Sequence, residues 1–140
     1  MSAMRLMIVL GAIFFAPALT FGQQNNFQQG LQALANRDYD LAISCFSQEV
    51  RQNPRETAAF ANRGNAYAGK GEYDKAIADF NQAIRLDPKD VTAMCNRANA
   101  YFMKGDNQEA TTDLQNVLAI SADPSLQQKA KALLNQIDSH

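Results

Sequence analysis

Four asparagines offer the clearest chemistry in this chain. They sit in two near-identical segments, NRGNAY (Asn62 to Tyr67) and NRANAY (Asn96 to Tyr101), 34 residues apart. Asn62 and Asn65 are three residues apart, as are Asn96 and Asn99, so on a helix each pair shares a face. A primary amide carries two donors and an acceptor, which matches the NH and CO of an extended peptide. The bland use of the same amides is to bond a neighbouring helix or water.

The same segments carry Arg63 and Arg97. Sixteen residues beyond each arginine stands an aspartate, Asp79 and Asp113. One period earlier the equivalents of Arg63 and Asp79 are Gln29 and Cys45, so both partners disappear together. This coincidence predicts two structural pairs, Arg63–Asp79 and Arg97–Asp113, each tying two helices with a planar bidentate contact. The alternative pairing sends Asp79 to Arg97.

Other chemistry is scarce. The single histidine is His140, at the end of the sequence, where chains fray. No Cys/His cluster has metal-ligand spacing, and no glycine-rich phosphate loop is present. An enzyme is therefore not expected, and neither is a metal or cofactor. With 13 basic and 14 acidic residues the net charge is −1, and no clustered basic face points to nucleic acid. The hydrophobic share of 46% and charged share of 19% fit a globular protein of 140 residues, one domain with extensions.

The elements that position these residues follow from a 34-residue period. Ala42, Ala76 and Ala110 coincide, as do Phe46, Phe80 and Leu114, and Gly30, Gly64 and Ala98; Tyr39 and Tyr73 coincide, with Asn107 third. Such a period marks a stacked repeat. The middle copy, with Phe60, Gly64, Tyr67, Gly71, Tyr73, Ala76, Phe80, Ala83 and Pro88 in register, resembles the tetratricopeptide repeat family. The resemblance covers roughly residues 23 to 124 as three copies, 23–56, 57–90 and 91–124. It implies an all-α, right-handed superhelical solenoid of three helix-turn-helix hairpins. Residues 125–140 would add a C-terminal capping helix.

Within the copies, helices are expected at about Gln24 to Ala35 and Tyr39 to Arg51, ended by Asn36 in a left-handed conformation. Asp38, Asp90, Asp106 and Asp123 are expected N-caps, with Pro124 at the first helical position. Gly71 and Gly105 supply the positive φ of the internal turns. The first copy is the weakest, with Asn26, Ala33 and Glu49 where the family favours an aromatic, tyrosine and alanine. In the last segment Leu126, Ala130, Leu133, Leu134 and Ile137 form an apolar face, and Gln127, Gln128, Lys129, Lys131 and Gln136 a polar one. It reads as a cap; the other reading is the first half of a fourth repeat completed by a partner chain.

The resemblance puts the first helix of each hairpin on a concave groove, where asparagines at these positions hold peptide backbones. Asn62, Asn65, Asn96 and Asn99 would form a ladder there. Phe27, Gln28 and Leu31 would flank it at one end and Thr92, Phe102 and Met103 at the other. The family's carboxylate clamp, which grips chaperone C-termini, needs basic residues on these helices. Phe27, Thr92 and Asn96 occupy three of those positions, which excludes a heat-shock co-chaperone and favours an uncharged or apolar ligand segment. Cys95 is expected near the groove and Cys45 in the core, with an intervening repeat keeping them beyond disulfide reach.

Residues 1–22 have the layout of a secretory signal peptide: Arg5, the apolar LMIVLGAIFFA from Leu6 to Ala16, then Pro17 and small residues up to Gly22. The alternative is an uncleaved anchor over residues 6–21, although 16 residues fall short of the about 20 needed to span a bilayer. Removing this segment leaves 12 bases against 14 acids. The reading is an exported, periplasmic or secreted, adaptor or scaffold, monomeric rather than homo-oligomeric, that binds an extended segment of another protein. It meets a membrane only if the N-terminal segment is retained. The competing reading is a structural module that stacks on its own kind through its terminal repeats.

Overall fold

The computed structural model describes residues 23–140. The signal-peptide reading of residues 1–22 lies outside the described residues. Those described form seven α-helices and no strand: α1 (Gln23–Ala35), α2 (Tyr39–Gln52), α3 (Thr57–Gly69), α4 (Tyr73–Leu86), α5 (Val91–Lys104), α6 (Asn107–Ile120) and α7 (Pro124–Asp138). Each helix packs on the next, and α1, α3, α5 and α7 also touch one another in succession, whereas α2, α4 and α6 do not. The stack therefore curves with its odd-numbered helices on the inner side. This is the all-α solenoid that the family resemblance implied.

One small residue and one large one lock each hairpin. A Cβ on Gly30 would stand 2.7 Å from the Phe46 ring, and one on Gly64 would stand 2.8 Å from the Phe80 ring. No real Cβ sits so close to an unyielding ring, so a side chain at either position forces the packing to shift. In the third hairpin the equivalents are Ala98 and Leu114: the inner helix gains a methyl and the outer helix loses ring volume. Phe46, Phe80 and Leu114 are fully buried. Around them lie Ala42, Ala76 and Ala110, also at 0% exposure, which let the paired helices approach closely.

The turns share a left-handed residue at one repeat position. Gly71 has φ 79° and Gly105 has φ 93°, and the first hairpin places Arg37 there at φ 59°. The expectation that Asn36 would take this conformation is corrected: the chain turns one residue later, and Asp38 N–H closes the loop on Ala33 O at 2.8 Å. Glycine adopts this region freely, while an arginine strains to reach it.

Caps follow the sequence with one exception. Asp38, Asp90 and Asp123 accept backbone N–H bonds from Leu41, Ala93 and Ser125. Asp106 makes no side-chain capping bond. Its carboxylate takes Lys104 Nζ at 3.1 Å, so an ion pair outcompetes the cap. Lys104 also reaches Asp74 at 2.9 Å, as Lys70 reaches Asp40 at 2.6 Å one repeat earlier. These two bonds connect successive hairpins along the turn edge.

The last helix closes the stack. Leu126 and Ala130 are buried with Met94, Ala98, Leu114 and Val117, and Leu133, Leu134 and Ile137 pack around them. Glu49, which stands where later copies have Ala83 and Val117, is 8% exposed and is held by Asn53 Nδ2 at 2.7 Å. A buried carboxylate needs such a donor. Among the described residues no helix is long and apolar enough to cross a membrane.

Candidate functional site

The inner helices enclose two adjoining clefts. The first, about 360 Å³, lies between α3 and α5 over the flank of α4, and is lined by Asn65, Ala68, Gly69, Tyr73, Phe80, Asn96, Asn99 and Met103. The second, about 330 Å³, lies between α5 and α7 and is lined by Cys95, Asn96, Asn99, Lys129, Ala132, Leu133 and Gln136. Asn96 and Asn99 belong to both, so the clefts form one trough that crosses α5.

Three amides meet in this trough. Asn96 Nδ2 donates to Asn65 Oδ1 at 3.0 Å, one repeat back. That bond fixes both side chains and leaves the Asn65 Nδ2 hydrogens and the Asn96 carbonyl free for a ligand. Asn99 stands beside them, exposed. Asn62 is half-buried and lies outside both linings. Its repeat-equivalent is Asn96, but the neighbour one repeat back is Leu31, which has no acceptor.

The residues expected to flank the ladder divide. Met103 is 54% exposed and forms part of the first cleft. Phe27 meets the Phe46 ring edge-on, with centroids 5.5 Å apart, and Leu31 packs on the same first-hairpin core. Both are half-buried there and spend much of their apolar surface on the fold. Gln28 and Thr92 are exposed and Phe102 is half-buried, all three outside the two linings.

The second cleft brings in residues that the sequence placed on the solvent face of the cap. Lys129 and Gln136 turn instead toward α5. The signal was present: Lys129 stands 34 residues after Cys95, and Leu133 stands 34 after Asn99. The last helix thus continues the inner wall in repeat register. Lys129 is the one charged side chain in either lining. Burial pushes the Cys95 thiol up, opposed by the nearby Lys129 charge. Burial also raises Cys45, with Asp38 adding to the shift, and both cysteines are free.

The arginines hold the wall that carries the amides. Arg63 donates through Nε and an NH2 nitrogen to the two Asp79 oxygens, both at 2.7 Å, and Arg97 meets Asp113 with the same distances. Each arginine also reaches the preceding hairpin, Arg63 to Ser47 Oγ at 3.2 Å and Arg97 to Asn81 Oδ1 at 2.7 Å. Asp79 stays within its own hairpin and does not pair with Arg97. The hydrogen bonds they donate to the aspartates push both guanidinium groups further up, so they stay charged. None of these groups opens onto the trough. Among the described residues no three His, Cys, Asp or Glu side chains gather as a metal site.

Family models match part of this architecture. A TPR repeat model matches residues 64–105, and a tetratricopeptide repeat model matches residues 91–122. Residues 64–122 therefore match tetratricopeptide repeats. Solved tetratricopeptide domains resemble it over most of its length. The second TPR domain of human RPAP3, in complex with an HSP70 peptide, is 25% identical with a TM-score of 0.76, covering 85% of this chain and 97% of that one. The TPR2B domain of yeast Sti1, in complex with an Hsp70 segment, is 21% identical with a TM-score of 0.80, covering 85% and 98%. The Arabidopsis OM64 TPR domain is 19% identical with a TM-score of 0.77, covering 86% and 97%. No curated protein matches the chain.

Proposed function

We propose that this protein is a non-catalytic adaptor of an exported compartment, binding an extended segment of another protein in the trough across α3, α5 and α7. The observation that carries the reading is the convergence of Asn65, Asn96 and Asn99 on two contiguous clefts. Their spare donors and acceptors suit the backbone of an extended chain, and Ala68, Tyr73, Met103 and Leu133 offer apolar contact to alternate side chains. The peptide complexes of the RPAP3 and Sti1 domains support this use of the fold. Phe27, Thr92 and Asn96 carry no charge, so the segment differs from one held through several basic residues. Its main contacts are uncharged. Export rests on the leader-like residues 1–22 alone.

The test is capture from source extract by the full chain, beside a variant with Asn62, Asn65, Asn96 and Asn99 all changed to Ala. Circular dichroism establishes that both are helical. The reading expects the parent to retain a protein that the variant loses. Equal retention by both chains would move the contact to another face. A concentration-dependent mass with no captured protein would favour self-stacking.

A further inference from the structure

The two clefts differ in chemistry, and the difference specifies a ligand. The first is floored by apolar surface, and Gly69 at its edge has no side chain. A Cβ there would stand 2.4 Å from the Tyr39 ring, so the close packing of α2 on α3 keeps the position bare. The hollow is bounded by Ala68, Tyr73, Phe80 and Met103. It suits one apolar side chain.

The second cleft holds Lys129. Among the described residues Lys129, like Lys89 and Lys131, has no ion-pair partner, whereas Lys70, Lys75 and Lys104 are each paired with an acid; of the three unpaired lysines only Lys129 lines the trough. No acidic residue lines either cleft. The trough therefore presents a single positive charge at its α7 end, beside the exposed amide of Asn99.

We propose that the trough recognises an extended peptide bearing an apolar side chain in the α3/α5 cleft and an Asp or Glu side chain against Lys129 in the α5/α7 cleft. This rests on the peptide-binding reading above. The two clefts lie one repeat apart. At about 8–10 Å between neighbouring helices, that step corresponds to roughly three residues of extended chain. The acid is an internal side chain and not a C-terminus. Terminal carboxylates are captured by a backbone nest or several converging donors, whereas a lone lysine is a point charge.

The experiment pans phage-displayed random octapeptides, joined at their C-termini to the coat protein, against the full chain held through its N-terminus. Enriched peptides are expected to carry Asp or Glu about three positions from Leu, Ile, Met or Phe. On the Lys129→Glu chain the acidic preference should vanish while the apolar one persists. Synthetic acidic peptides should bind that chain about fivefold to tenfold more weakly. Enrichment without acids, or an acidic preference that survives Lys129→Glu, overturns the proposal and leaves the trough reading standing. Tighter binding of a free C-terminus after the acid is replaced by Gln overturns the side-chain assignment. No enrichment at all, or enrichment unchanged by Asn65→Ala with Asn99→Ala, defeats the peptide-binding reading itself.

Discussion

Arg63 and Asp79 join α3 to α4 through two parallel hydrogen bonds of 2.7 Å, with only 7% of the aspartate side chain exposed. A charge so enclosed depends on its partner. Removing one member of a buried pair strands the other, at a cost of about 3–5 kcal/mol, while removing both together costs far less. Arg63→Met should therefore destabilise the chain by about 3 kcal/mol, and adding Asp79→Leu should recover most of the loss. Urea denaturation of the two single variants and the double measures the coupling. Additive effects would show that the pair is not an energetic unit.

Gly64 and Phe80 make a complementary test of packing. Gly64→Ala puts a methyl against the ring at 2.8 Å and should cost about 1–3 kcal/mol. The third hairpin solves the same contact with Ala98 and Leu114. Gly64→Ala should consequently be rescued in part by Phe80→Leu, read as a shift in denaturation midpoint. A double variant that loses the sum of both single losses would contradict the volume exchange.

Arg37 occupies the turn position held elsewhere by glycine, at φ 59°. Left-handed backbone costs a non-glycine residue about 1–2 kcal/mol, against which glycine's greater freedom in the unfolded chain costs about 0.5–1 kcal/mol. Arg37→Gly should stabilise the chain by about 0.5–1 kcal/mol in thermal unfolding. A lower midpoint would mean that the arginine side chain makes a compensating contact.

Lys104 gives a pH test. Hydrogen bonds it donates to Asp74 and Asp106 raise it from the ordinary 10.5 to about 12. Because the folded value exceeds the unfolded one, the stabilisation is complete below about pH 10.5 and is lost as pH rises through about 12. The pair is exposed, so the effect is modest and weakens with salt. Asp74→Asn should lower the Lys104 titration followed by NMR at the side-chain carbons. An unchanged titration would place the shift elsewhere.

The fold was legible because its signals repeat. Ala42, Ala76 and Ala110, with Phe46, Phe80 and Leu114, recur at 34 residues and land together in the buried core. The arginine–aspartate contacts could be anticipated because Gln29 and Cys45 remove both partners at once. The site was only partly legible. Three amides share the trough and Asn62 does not, because the cross-repeat acceptor that orients Asn96 is replaced by Leu31 one repeat back. Helical periodicity reports the buried face of α7 but does not distinguish open solvent from a concave wall, which is why Lys129 and Gln136 read as outer residues. Asp106 was misread for a different reason: a nearby lysine competes for the carboxylate that would cap α6.

The trough across α3, α5 and α7 is the proposed binding surface. It is tested most directly by titrating an enriched octapeptide into 15N-labelled full-length chain and following the side-chain amide signals. The Asn65, Asn96 and Asn99 signals should move together and saturably, while backbone signals at Lys70 and Glu72 on the turn edge stay fixed. Movement at Lys70 and Glu72 with the three asparagines unmoved would contradict it.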